Sequence, residues 1–157
     1  MREYRRILAV VDLNEAGRAV AERALALSQL GRCELVLLHL IEPDVGLDGG
    51  YPAPSRAVAR QGYETEGLRR LQFFAASLGA GEAKLQARYG QPRSAFADCA
   101  AAWQPDLVVA AYDPGYLGGR HDLLTLGQAK RSVGGHLLRL LQHLFAPAPY
   151  RNAGAGR

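Results

Sequence analysis

Apolar positions follow two rhythms along this chain. Ile7-Leu-Ala-Val-Val11 and Glu34-Leu-Val-Leu-Leu-His-Leu-Ile41 are nearly unbroken runs, the pattern of strands buried on both faces. Between them Ala16, Val20, Ala24, Leu27 and Gly31 recur at steps of three and four. That spacing predicts an amphipathic helix closed by glycine. Asn14 is placed to cap it, and Glu15 suits the positive end of its dipole. A second helix is expected from about 57 to 78, with Leu68, Leu71, Ala75 and Leu78 on one face and Gly62 and Gly67 weakening its first half. Lys84–Tyr89 alternates with period two and reads as an edge strand with one wetter face. Gly90-Gln-Pro92 then turns into a third helix carrying Phe96, Cys99, Ala100 and Trp103 on one stripe. Pro105 ends it, and Asp106–Ala111 is a fourth strand.

Strands alternating with helices imply an open, doubly wound, mostly parallel α/β sheet of four to five strands with helices on both faces. The apolar strands belong in its middle and the alternating one at an edge. No repeat or low-complexity linker divides the chain, so one domain is expected over residues 4–149, followed by a flexible tail at 150–157. The stretch from 42 to about 56, with three prolines and three glycines, is a long loop of the kind that is usually functional or mobile.

Composition narrows the class. The 157 residues are 48% hydrophobic, 22% charged and 8% aromatic, enough apolar material for one core. No apolar run is long enough to span a membrane, and the N-terminus lacks a signal-peptide pattern, so a cytoplasmic location is expected. The net charge of +4 could suggest nucleic acid. The arginines are scattered, however, with close sets only at Arg2/Arg5/Arg6 and Arg69/Arg70, and no basic stripe forms. Neither nucleic acid nor membrane is expected as a partner.

Candidate chemistry is sparse. Cys33 and Cys99 make no disulfide framework or metal motif and read as core thiols. His39, His121, His136 and His143 lack ligand spacing, and His39 reads as a satisfied core histidine. His121-Asp122 are adjacent on a loop, a poor arrangement for acid/base work. A phosphoacceptor receiver would need an aspartate ending the third strand, where Tyr89 stands. No Gly-x-Gly-x-x-Gly follows the first strand. No catalytic residue, no metal ligand and no enzyme activity is expected.

Three segments together resemble the universal stress protein family. Arg6-Ile-Leu-Ala-Val-Val-Asp12 looks like its first strand, and Leu38-His-Leu-Ile-Glu-Pro43 its second strand and exit. Arg88-Tyr-Gly-Gln-Pro92, a helix and Pro105-Asp-Leu-Val-Val109 look like its third-strand to fourth-strand block. The resemblance implies an adenine nucleotide alpha hydrolase-like fold, a homo-oligomer (usually a dimer) and cytoplasmic roles in stress adaptation. In nucleotide-binding members the position matching Asp12 contacts adenosine, and the position of Ile41 lends backbone to adenine.

Such members also carry Gly-x2-Gly-x9-Gly-Ser/Thr after the fourth strand, and here the sequence departs. Aligned without a gap, the first glycines fall on Ala111 and Pro114; shifted, Gly115-Tyr-Leu-Gly118 restores them. Gly127 and Gly134 give neither the spacing nor the hydroxyl, although Gly134 fits when counted back from His143 and Ala146-Pro-Ala-Pro149, which implies an insertion near 123–132. The family's fifth strand has no counterpart after Pro149. Either the sheet has four strands or Leu137–Leu141 substitutes, although Leu137, Leu140, Leu141 and Leu144 are spaced as on a helix. The expectation is a stress-adaptation regulator acting through an unknown protein partner, without a cofactor and with ATP binding lost. The alternative is an ATP- or AMP-binding module, with Mg, using Asp12, Ile41, Gly115, Gly118 and Gly134.

Overall fold

The computed structural model describes residues 3–43 and 53–127. Its strands are β1 (Arg6–Val10), β2 (Glu34–Ile41), β3 (Lys84–Tyr89), β4 (Leu107–Ala110) and β5 (Asp122–Thr125). The helices among the described residues are α1 (Glu15–Gly31), α2 (Ala53–Ser77) and α3 (Pro92–Trp103). The strands form an open sheet in the order β3-β2-β1-β4-β5, every pair parallel. β1 lies at the centre and β3 at an edge, as their patterns require.

Alternation along the strands divides the core into two layers. Ile7, Ala9, Leu35, Leu37, Leu107 and Val109 face one way and bury against Val20, Ala24 and Leu27 of α1 and Leu71 and Ala75 of α2. Leu8, Val36, Leu38, Val108 and Ala110 face the other way and meet Phe96 and Cys99 of α3 and Leu117. β1, β2 and β4 therefore carry apolar residues at almost every position, because each strand serves both layers.

Local details revise several expectations. Asn14 does cap α1, its side chain accepting from the Gly17 N–H at 2.9 Å. The buried stripe of α1 begins at Gly17, with Ala16 exposed. Gly31 does not make the left-handed turn that ends the helix; Arg32 does, with φ of 52°. A side chain at Gly31 would instead meet Cys33 Sγ at 2.7 Å, so the glycine makes room for sulfur. α2 starts at Ala53, four residues ahead of expectation, which shortens the preceding loop. A Cβ at Gly67 would crowd Ile41 Cδ1, the tip of a side chain that would have to shift.

The largest correction concerns the fifth strand. It is Asp122–Thr125, overlapping the start of the stretch read as an insertion near 123–132, and it pairs along β4 from Leu107↔Asp122 to Ala110↔Thr125. Leu123 joins the α3 layer, while Leu124 and Leu126 join the α1 layer. A four-stranded sheet is excluded. Gly134, residues 128–132 of the supposed insertion, the 137–144 helix and the 150–157 tail lie outside the described residues.

Candidate functional site

In a parallel sheet with this order, β1 and β4 are the neighbours from which the chain winds in opposite directions. The crevice beyond their carboxyl ends is where such sheets accept ligands. Asp12 leaves β1 at this point and is exposed. Its backbone is fenced by the first turn of α1, where any Cβ at Gly17 would overlap the Asp12 carbonyl oxygen. Gly17 is therefore required to let α1 start so close to the strand end. The neighbouring Val11 carbonyl accepts from His39 Nδ1 at 3.0 Å, so His39 is half-buried and partnered.

Ile41 ends β2 opposite Tyr89. Its carbonyl accepts from the Gly90 N–H at 3.1 Å and its side chain packs on Gly67, so the strand exit is tied into the fold. Both free cysteines have partners. Cys99 Sγ lies 3.3 Å from Gln86 Oε1 and Cys33 Sγ 3.0 Å from the Tyr4 carbonyl. Burial, then the charges of Asp106 and Glu3, push the Cys33 thiol above its ordinary range, away from the reactive thiolate.

Residues 111–121, between β4 and β5, form the other wall. Gly115 adopts φ of 97°, and its N–H donates to Asp113 Oδ1 at 2.8 Å. Pro114 has no N–H at all. Leu117 is 2% exposed and joins the core, and Tyr116 lies against Phe96 with ring centroids 6.4 Å apart. The Leu117 carbonyl accepts from His121 Nε2 at 2.6 Å, and the imidazole meets the Phe96 ring edge-on. Gly118 is exposed, with open space where a Cβ would stand.

Burial raises the Tyr116 hydroxyl above its ordinary value, with Tyr112, Glu42 and Asp12 adding to the shift and Arg93 opposing it. Asp12, Glu42 and Tyr116 therefore share one region, with the Arg93 cation close by. Among the residues proposed from sequence, Asp12 follows β1 while Gly115 and Gly118 follow β4, its neighbour in the sheet. Asp113, Tyr112, Tyr116 and Leu117 were missed. The Asp-Pro-Gly turn signature was the available signal for Asp113. Among the described residues no three His, Cys, Asp or Glu side chains come together to hold a metal.

The model of the universal stress protein family matches residues 3–137. The chain belongs to that family. Membership supports a general role in stress adaptation or regulation, and family members are typically regulators without catalysis. Among solved structures, UspA from Lactobacillus plantarum is 22% identical and aligns over 91% of this chain and 94% of its own, with a TM-score of 0.50. A universal stress protein from Archaeoglobus fulgidus is 14% identical over 78% of this chain and 93% of its own, with a TM-score of 0.49. Another, crystallised in complex with cAMP, is 18% identical over 68% of this chain and 75% of its own, at 0.47. At these identities the likeness describes the fold alone. No curated protein sequence matches the chain. Among the described residues no helix is long and apolar enough to cross a membrane.

Proposed function

We propose that this universal stress protein domain is a non-catalytic, cytoplasmic regulator that works as a homodimer through contacts with another protein, its nucleotide site having lapsed. The observation that carries this reading is the Asp113 carboxylate on the Gly115 N–H. A phosphate cradle after β4 needs backbone N–H groups open to an anion. Pro114 supplies none, and the Gly115 N–H is taken by a group that is itself negative. Leu117 of the same loop is held in the core. Asp12 and Glu42 at the same edge would repel polyphosphate further.

A second reading remains specific enough to test. Asp12 is exposed at the crevice and Gly118 has free space, which favours an adenine-nucleotide module bound through a remodelled loop. A thermal-shift titration with ATP, ADP and AMP, with and without magnesium, separates the two. A ligand that binds only the folded state must raise the melting temperature. No saturable shift is expected at millimolar nucleotide. A saturable rise that Gly118→Val abolishes would replace the regulator reading with the nucleotide one.

A further inference from the structure

The sheet has an edge at β3, and an edge strand carries backbone N–H and C=O groups with no further strand to meet them. Backbone groups along a strand point alternately to either side. The Gly90 N–H donates to the Ile41 carbonyl, on the β2 side. Tyr89 therefore directs its N–H and C=O outward. Ala87 and Leu85, alternate residues of the same strand, do likewise.

At Tyr89 both outward groups are taken by side chains of α2. Arg60 donates from Nε and Nη2 to the Tyr89 carbonyl at 3.3 and 3.1 Å. One turn later Glu64 Oε1 accepts from the Tyr89 N–H at 3.1 Å. A neighbouring parallel strand would offer the same pair, a donor to the carbonyl and an acceptor for the amide. The helix supplies it from two residues one turn apart, which share a face. Tyr63 stacks on the Tyr89 ring, centroids 4.8 Å apart and planes 7° off parallel, and holds the helix against the strand end.

Two glycines allow the approach. A Cβ at Gly67 would stand 3.3 Å from Ala87 Cβ, so α2 runs close along β3. A Cβ at Gly90 would stand 3.2 Å from Arg60 Nη2, and φ there is 142°, a conformation that favours glycine. The outer sides of Ala87 and Leu85 are different. Among the described residues no backbone group meets them. The cap thus closes the carboxyl end of the edge strand, and exposed charged residues, Lys84 and Arg88, blunt the remainder.

We propose that Arg60 and Glu64 stand in for a further strand: by holding the Tyr89 backbone they keep the β3 edge from pairing with a second copy of the chain. The inference does not rest on how the nucleotide question is settled, since both residues lie on α2 and neither belongs to the crevice beyond β1 and β4. The test is amide hydrogen exchange of the full chain, read together with sedimentation velocity over a range of concentrations. In the unaltered protein the Tyr89 amide should be protected about tenfold more than those of Ala87 and Leu85, each relative to its intrinsic rate. Glu64→Ala should remove that difference, and Glu64→Gln, which keeps an acceptor oxygen, should retain it. Arg60→Ala combined with Glu64→Ala should add a concentration-dependent species beyond the unaltered protein's own assembly, with Ala87 and Leu85 gaining protection as it forms. Equal protection at Tyr89 and Ala87 in the unaltered protein would overturn the proposal, and that result needs no variant to fold. So would a folded double variant whose Tyr89 amide is freed but which assembles no further.

Discussion

The two flanks of β1 are built differently. Toward β2 and β3 every crossover carries a helix, and α1 and α2 lay a continuous apolar layer across the strands. Toward β4 and β5 the chain returns through residues 111–121 without a helix, and one leucine, Leu117, stands for that segment in the core. A parallel return usually needs a helix to cross the sheet. Here a proline, a glycine at positive φ and a buried leucine accomplish it. The first flank is rigid scaffold. The second makes its return through a short loop pinned by side chains.

This contrast can be broken by mutation, beginning with the scaffold. Leu38→Ala opens a cavity at a fully buried position of β2, between β1 and β3, and should cost about 4 kcal/mol. Gly17→Ala should cost about 3 kcal/mol, because its new methyl meets backbone that cannot swing aside. Leu117→Ala should cost less, about 2 kcal/mol, since a loop can settle into the space it vacates. Urea unfolding of the three variants provides the ranking. If Leu117→Ala proves as costly as Leu38→Ala, the return segment is as rigid as the helices and the contrast fails.

His121→Ala sharpens the same point at smaller scale. It removes the donor to the Leu117 carbonyl and the edge-on contact with Phe96, together about 1 kcal/mol. Its distinguishing signature is local. Hydrogen exchange should accelerate across 113–119 while the amides of β1 and β2 keep their protection. Uniform acceleration throughout the sheet would mean that the histidine supports the whole fold and not the loop.

The flanks also differed in how readable they were. β1, β2 and β4 announced themselves because a strand buried on both faces is apolar at nearly every position. α1 was visible from its stripe and from Asn14. β5 was not, for a physical reason: Leu123 and Leu124 face opposite layers, so four residues show neither a long run nor an alternation. A family motif with a fixed spacing then drew the same residues into a supposed insertion. At the crevice, Asp12 and the Gly115–Gly118 loop could be located from strand ends alone. The bond from Gly115 to Asp113 could not be weighed until the loop had a shape. Tyr89 was legible as the end of the edge strand, not as the centre of a cluster. Its grip by Arg60, Tyr63 and Glu64 depends on contacts across more than twenty positions.

The smallest expected effect lies on the outer surface of the helical flank. Glu66 accepts from Arg69 at 2.7 Å and from Arg70 at 3.1 Å, and these bonds lower its carboxyl from the usual range to about 2. A group whose pKa falls on folding lends stability above its unfolded value, and that contribution disappears as pH drops toward the folded one. The Glu66 contribution is therefore whole above about pH 4.5 and fades toward pH 2. Because the cluster stands in solvent, water and salt screen it heavily, and the effect on the melting temperature should be slight. Glu66→Gln should lower that temperature a little at pH 7, less in high salt, and hardly at all near pH 2. A gap that persists at pH 2 would show that Glu66 acts through packing along α2 rather than charge. The helical flank would then owe part of its rigidity to its exterior as well as to its buried stripe.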